Sequence, residues 1–583
     1  MNEQPQLSNG EASIPSASRP WAGYSFLVDV PIFAFCLALI YIVAMLAHYW
    51  SSPLTPQVDI DLHASALPLY AVYSVLRISI AYLLSLAFTI AYGYAAAYHP
   101  RAERVMVPLL DVLQSIPVLS FLPGVMLAMV ALFPRRQLGL ELGSILLIFT
   151  GQVWNMAFSF YSSLKSIPQE MREAAKLYRF SWWQSLTQME LPYSVIGLVW
   201  NSMMSVAGGW FFLMACEMFV LGKRDFRLPG LGSYLQTAAD AGDMRAILYG
   251  LATMVTVIVL TDQLVWRPVV AWAQKFKFET VEASESAHSP VLTLLRRSRI
   301  VALFSRKTIA PMRESLAQHF ARKHDVHSAS QPASRRRWLP WLLVAAGAAL
   351  TAYLLFHGVL LLTGLSRPEL LEILKGLVAT FLRVAVALAL GTLWTVPAGV
   401  AIGTHPKMAR IAQPLAQIAA SVPATALFPV VLLALIRAGG GLGVGSILLM
   451  LLGTQWYLLF NVIAGATAIP TELVEACAIF RFSRWERWKT LVLPAIFPYL
   501  ITALVTASGG AWNASIIAEY FHLRGTTYST TGLGALISQA SDTGNTRLLF
   551  AATIFMAGTV VLVNRLLWRR MYNLAATKFK LES

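Results

Sequence analysis

The chain has 583 residues, 57% of them hydrophobic and only 13% charged, yet its formal net charge is +16. Soluble globular chains carry roughly a quarter charged residues, so most of this surface does not face water. That excludes a soluble enzyme, a nucleic-acid-binding domain and a disordered scaffold.

Residues 1–22 are polar, with no basic stretch leading into a cleavable apolar segment, and read as a cytoplasmic tail rather than a signal peptide. A helix needs about 20 mostly apolar residues to cross the hydrocarbon core. Between residues 23 and 270 the uncharged stretches 30–58, 78–100, 112–134, 142–164, 191–216 and 246–261 predict six spans. The segment 271–337 then carries thirteen Lys/Arg against five Asp/Glu. Within it, residues 291–307 mix Leu, Ile, Val and Phe with Arg, which suits a helix lying on an anionic leaflet. A solvated tether with a purely topological role is the other reading. A second set of spans follows within 338–570, at 338–366, 384–406, 411–436, 438–471, 495–518 and 548–564, before a short tail, 571–583. The expectation is an all-α integral membrane protein of about twelve spans. Apolar runs such as Leu342 to Leu350 lack the period-two alternation of a β-barrel.

Basic residues set the sidedness. Arg101, Arg104, Lys165, Arg172, Lys176, Arg179 and the basic linker fall on one side, expected to be cytoplasmic, with both termini. Cys36, Cys216 and Cys477 are far apart, and no metal-ligand spacing occurs.

The two sets of spans are copies. Residues 167–192 (IPQEMREAAKLYRFSWWQSLTQMELP) align with 469–494 (IPTELVEACAIFRFSRWERWKTLVLP) at an offset of 302, which holds for Trp210/Trp512, Glu217/Glu519 and Trp266/Trp568. Upstream the offset is 306, through Arg77/Arg383, His99/His405 and Pro117/Pro423. Six spans per copy give both the same orientation, a parallel repeat with the pathway expected between the halves. Pro117 and Pro423 predict a kink in each third span. Asp111 against Gln417, and Glu141 against Gly443, predict an asymmetric interior.

The duplicated loops are long for connectors. Ser181 with Gln184, and Ser483 with Glu486, fit a capping box that starts a helix. Helix-forming segments, 169–176 and 472–479, precede them. Each loop therefore predicts a helix-turn-helix closed by Leu191-Pro192 or Leu493-Pro494, where the next span begins. A folded hairpin displayed twice suggests docking of a cytoplasmic partner.

The pattern E-A-A-x3-G-x9-I-x-L-P marks the inner-membrane permease subunits of bacterial ABC importers. Here it occurs as Glu173-Ala174-Ala175 with Met189-x-Leu191-Pro192, and as Glu475-Ala476-Cys477 with Leu491-x-Leu493-Pro494. Both halves thus resemble that superfamily. Ser74 to Arg77, the segment 108–117 and the Ala-x-Glu ending the fifth span look like its nitrate, sulfonate, taurine and bicarbonate group. The resemblance implies a type I importer fold, fused as a tandem duplicate in the inner membrane. It also implies two cytoplasmic ATPase subunits that carry the ATP and Mg, and a periplasmic or lipid-anchored substrate-binding protein. The hairpins would couple to the ATPases through Glu173, Ala174, Ala175, Glu475, Ala476 and Cys477. Where the family has a turn Gly, this chain has Arg179 and Arg481. Gly suits a turn with positive φ, so Arg either bears strain or takes another turn.

The chain itself is expected to be no enzyme and to bind no cofactor. It lacks a G-x4-G-K-[ST] loop, and the glycine-rich 439–445 has no Lys-Ser/Thr to hold phosphate and Mg. An ion-driven transporter or channel is the rival reading, and it predicts midplane carboxylates that are scarce here. Candidates for the pathway or gate are Arg77, Glu217, Arg383 and Glu519, near the outer face. Pairing, snorkelling at helix ends and substrate contact are all open to them. Trp210 and Trp512, beside glycine pairs, are candidates either to line the cavity or to pack helices.

Overall fold

The computed structural model describes residues 59–276, 289–315 and 358–578, a few single positions excepted. The predicted first spans (30–58 and most of 338–366), the tails, Cys36 and much of the linker lie outside the described residues.

The first half runs α1 (Leu67–Tyr98), α2 (Pro100–Ser115), α3 (Leu122–Leu132), α4 (Leu138–Lys165) and α5 (Gln169–Leu177). It continues with α6 (Trp182–Glu217), a two-stranded hairpin β1–β2 (Val220–Leu221, Arg224–Asp225), α7 (Leu231–Ala241) and α8 (Met244–Phe276). Linker helices α9 (Pro290–Arg296) and α10 (Arg299–Phe304) follow. The second half repeats the order: α11 (Arg367–Thr404), α12 (Pro406–Ser421), α13 (Ala424–Arg437), α14 (Leu442–Thr467) and α15 (Thr471–Ile479). Then come α16 (Arg484–Ala518), β3–β4 (Tyr520–Leu523, Thr526–Ser529), α17 (Leu533–Thr543) and α18 (Thr546–Ala575).

Eight helices among the described residues, α1, α4, α6, α8 and their copies α11, α14, α16 and α18, are long and apolar enough to span a membrane. The expectation of twelve differs at two kinds of place. The first spans lie outside the described residues. The third spans are not single helices. Instead of a kink, each has a break, with Ile116 (φ −79°, ψ 124°) and Pro117 (φ −61°, ψ 118°) both extended, and Val422 and Pro423 likewise. Proline clashes with a helical residue before it and removes a donor, so the chain leaves the helix for two residues. An amphipathic segment (α2, α12) is thereby separated from a short apolar one (α3, α13).

The packing divides along the length of the long helices. One continuous core, holding Trp210, Met126, Phe428 and Trp512, joins both halves at the end away from the duplicated loops. Near those loops each half has clusters of its own: Met156, Phe160, Leu164 and Ala175 in the first, and Val462, Ala466 and Ile496 in the second.

Candidate functional site

The duplicated loops fold as hairpins, built the same way twice. In the first, Pro168 is extended and α5 begins after it. The helix ends with Arg179 at φ 51°, in the left-handed region. The Phe180 N–H donates to the Ala175 carbonyl (2.9 Å) and the Arg179 N–H to the Lys176 carbonyl (3.0 Å), a Schellman closure. In the copy, Arg481 has φ 52°, with Phe482 N–H donating to Cys477 (3.0 Å) and Arg481 N–H to Ala478 (3.1 Å). Both arginines thus keep the turn a glycine would favour and bear its strain, of about 1–2 kcal/mol each.

Ser181 and Ser483 then cap the next helix. The Gln184 N–H donates to Ser181 Oγ (3.3 Å) and the Ser181 N–H returns to Gln184 Oε1 (2.8 Å); Ser483 and Glu486 repeat this at 3.3 and 2.7 Å. The expected second short helix, closed at Leu191-Pro192, does not exist as a separate element. From Trp182 the helix runs unbroken into the span, through a π-helical stretch at Leu186–Glu190. The Leu191 N–H reaches back to the Leu186 carbonyl just before Pro192. The wider turn absorbs a proline that could not continue an α-helical ladder. Trp488–Val492 does the same before Pro494. Each hairpin is therefore a rigid extension of the fifth span.

Glu173 and Glu475 are exposed, and Gln169 Nε2 donates to Glu173 Oε1 at 2.8 Å. Ala174 is exposed, Ala175 is buried against its own half, and Ala476 and Cys477 are half-buried. Arg172 ties the hairpin to α4, with Nη2 donating to the Leu164 carbonyl at 2.6 Å. At the tips, Leu177 and Tyr178 are 81% and 74% exposed, and Ile479 and Phe480 78% and 74%, beside Trp485 at 72%. Large apolar side chains are thus held well out of the core in both copies. The sequence reading missed these tip residues; their one signal was their place just before the left-handed Arg.

On the opposite face, the ionisable candidates come together. Arg77 is 1% exposed, so it does not snorkel. Its Nη1 donates to Glu217 Oε1 (2.8 Å) and to the Pro229 carbonyl (2.8 Å). Its Nε and Nη2 grip both oxygens of Glu141 (2.7 Å each). Glu217 also accepts from Ser74 Oγ (2.7 Å) and from the Gly232 N–H (2.7 Å), at the start of α7 where the helix dipole favours a carboxylate. In the second half, Arg383 Nη1 donates to Glu519 Oε1 (2.9 Å) and the Thr531 carbonyl (2.6 Å). Glu519 accepts from Thr380 Oγ1 (2.8 Å) and the Gly534 N–H (2.9 Å). Each cluster clamps the second span, the fifth span and the short helix after it, α1, α6 and α7 or their copies. Gly230 and Gly532 lie so close to the carboxylates that a Cβ would collide with them. Glu141 joins only the first cluster; its repeat position is Gly443, which carries no side chain.

Trp210 and Trp512 are 2% and 1% exposed and sit in the shared core, so in this structure they pack helices and do not line a cavity. The halves meet directly at this end. The Leu119 N–H, in the break before α3, donates to Asn513 Oδ1 (3.3 Å), and Thr553 Oγ1 to the Ser120 carbonyl (3.0 Å). Gln236 Nε2 donates to the His522 carbonyl (3.2 Å). Between them lies a cavity of about 530 Å³ lined from both halves, with Arg227, Asp240, His522 and Asp542 among its polar residues. His522 Nε2 and Tyr520 Oη both contact Asp542 (2.9 and 2.8 Å), and that hydrogen bond holds the imidazole pKa above its usual 6.5. Asp240 is shifted upward by burial.

Known proteins show the same duplication. The family described as binding-protein-dependent transport system inner membrane component matches the chain twice, over residues 88–265 and 395–574. Among curated relatives, the nitrate import permease protein NrtB of Leptolyngbya laminosa is 26% identical over 32% of this chain and 64% of its own length. The bicarbonate transport system permease protein CmpB of Synechocystis is 28% identical over 24% of this chain and 48% of its own. The taurine transport system permease protein TauC of Escherichia coli is 26% identical over 32% of this chain and 62% of its own. The chain thus spans less than two thirds of the length of these relatives. With both matches together covering more than half of its residues, the chain belongs to the family of binding-protein-dependent transport inner-membrane components and is a multi-pass membrane protein carrying that module in tandem.

Proposed function

We propose that this chain supplies both membrane halves of an ATP-driven importer, with the translocation pathway between them. The observation that carries this is the twice-built hairpin. Each has exposed apolar tips, and each continues without a joint into the fifth span. A partner that pulls the two hairpins together or apart moves those spans as levers. Two cytoplasmic ATPase subunits, which bind ATP and Mg, fit that role, and a substrate-binding protein delivers solute to the opposite face. This chain binds no nucleotide. Both termini and the linker lie on the hairpin side, the cytoplasm, and the exposed Leu294, Leu303 and Phe304 beside Arg296 and Arg306 suit contact with the anionic leaflet.

The division of packing supports alternating access. A shared core and direct hydrogen bonds close the outer end, while separate clusters leave the halves apart near the hairpins. In this reading the two Arg–Glu clusters hold the outer gate elements in place. The relatives' names point to small anions such as nitrate, bicarbonate or sulfonates as cargo. Co-purification of an ATPase with the full chain, lost on replacing Glu173 and Glu475 with Ala, tests the docking. Retained ATPase in a double variant that also carries Leu177→Asp and Ile479→Asp would remove it.

A further inference from the structure

We propose that the two hairpins dock their ATPase partners unequally; this rests on the importer reading above. The second hairpin offers an apolar face with a basic rim that only the partner covers, whereas the first is braced against its own half. The starting observation is that identical residues of the two copies are buried differently. Phe180 packs against the cluster of Met156, Phe160 and Leu164, while its counterpart Phe482 is 41% exposed. Ser181 is buried and Ser483 exposed; Trp183 is half-buried and Trp485 exposed. Met171 and Ala175 of α5 join the first-half cluster, but among the described residues no side chain of α15 belongs to a buried cluster.

The cause is a set of ties that one copy has and the other cannot make. Arg172 on α5, besides its bond to Leu164, lies over the Tyr98 ring, 5.8 Å from the centroid. Tyr98 Oη donates to Glu190 Oε1 (2.8 Å), in the π-helical stretch at the foot of α6, and Tyr193 Oη to the Ser166 carbonyl (3.0 Å). Tyr94 meets Trp182 edge-on at 5.9 Å. Together these hold α5 and the foot of α6 to α1 and α4. In the second copy the positions matching Arg172, Tyr98, Glu190, Tyr193 and Tyr94 are Val474, Thr404, Val492, Ala495 and Val400. Valine and alanine side chains have no polar atom to offer, and Thr404 Oγ1 donates to the Val400 carbonyl (2.7 Å) on its own helix. The brace is absent there for chemical reasons.

What stays uncovered is a surface with a definite complement. Leu473, Ile479, Phe480, Phe482 and Trp485 are all exposed. Beside them stand Arg481, Arg484, Arg487 and Lys489 against one carboxylate, Glu486, which is already engaged in the Ser483 cap. The matched stretch 179–187 has a single charge, Arg179. An exposed Trp among arginines is the composition of an interface hot spot. Its complement is an apolar pocket whose rim is acidic opposite 481–489. Exposed Glu472 and Glu475 flank this face on α15, and an anionic leaflet would repel them, so the occupant is protein. The first hairpin has less left to bury, and it passes the stroke into a half already tied together.

The test uses the full chain in phosphatidylcholine nanodiscs, alone and with the purified ATPase that accompanies it, read by hydrogen exchange and by the dissociation constant. In the chain alone, amides 472–487 are expected to exchange roughly tenfold or more faster than 170–185, and on binding to gain the larger protection. Trp485→Ala is expected to weaken binding roughly tenfold or more, and Trp183→Ala roughly threefold or less. Arg484→Gln with Arg487→Gln should weaken binding and flatten its salt dependence. Arg172→Val with Glu190→Val, the residues of the second copy, should bring the first hairpin to the exchange rate of the second, while Glu190→Gln should not. Equal exchange in the two hairpins, equal losses at Trp183 and Trp485, or protection that follows added phosphatidylglycerol instead of the ATPase would each overturn the assignment. Failure of any ATPase to bind the unaltered chain would instead strike at the importer reading.

Discussion

Replacing Arg77 with Met should be among the most destabilising single changes in the described structure, and more so than the matching change at Arg383. Arg77 is 1% exposed and makes four hydrogen bonds, three of them to the buried carboxylates of Glu141 and Glu217. Removing one partner of a buried ion pair typically costs about 3–5 kcal/mol, because the charge left behind has neither water nor a counter-ion. Here two carboxylates would lose their counter-ion: Glu217 keeps Ser74 and the Gly232 amide, as Glu519 keeps its own partners, but Glu141 loses the grip on both oxygens. The cost should lie near the top of that range. Arg383 faces one carboxylate, its side chain is 14% exposed, and Glu519 keeps Thr380 and the Gly534 amide. Its loss should lie near the bottom, leaving a difference of about 2 kcal/mol between the two variants. Unfolding of the purified chain in mixed micelles, followed by tryptophan fluorescence, measures both. Adding Glu141→Gln to Arg77→Met should recover about 1–3 kcal/mol, since one stranded charge is neutralised. Equal costs at the two arginines, or no recovery in the double variant, would refute the reasoning.

At the hairpin tips, Leu177→Asp with Ile479→Asp should leave unfolding unchanged, because both side chains are already in water, yet abolish ATPase co-purification. A large stability loss would show instead that the tips pack. Arg179→Gly should relieve the left-handed strain and slow proteolysis within 165–192, by about 1 kcal/mol of local stability; faster cleavage would count against the strain. At the β3–β4 hairpin, His522 has a raised pKa because Asp542 stabilises its protonated form. The folded pKa lies above the unfolded one, so that stabilisation is full below about 6.5 and is lost as pH rises through the folded value. Hydrogen exchange in Tyr520–Ser529 should therefore speed up beyond its intrinsic pH dependence between pH 6 and pH 8, and His522→Gln should remove that excess.

Much of this was legible in the chain. The spans announce themselves because apolar helices must be long and uncharged to cross lipid. The repeat does so because rare Trp, Glu, Arg and Pro keep register at 302 and 306 residues. The capping boxes at Ser181 and Ser483 were readable because their geometry depends on residues three apart. The break at Ile116-Pro117 was read as a kink. Proline flags a disruption, but whether the helix resumes depends on what packs after it. The fusion of hairpin and span at Leu186–Glu190 was missed for a similar reason, since a π turn has no local signature and can pass a proline that would end an α-helix.

Arg77, Glu217, Arg383 and Glu519 could be named from sequence as costly charges in apolar segments, and with them the possibility that they pair. Glu141 as the second carboxylate on Arg77 could not be, because its repeat position is Gly443 and no matched pair of charges in the two halves marks it. By itself the sequence determined the membrane class, the duplication and the two matched loops with their capping boxes. Those follow from composition and local spacing, which act through hydration and hydrogen bonding near each residue. Only the tertiary structure decided that the halves share one core at the end away from the hairpins and have separate clusters near them. It also decided that Trp210 and Trp512 are packed. Those depend on which faces of distant helices meet, and that is settled by packing among all of them at once.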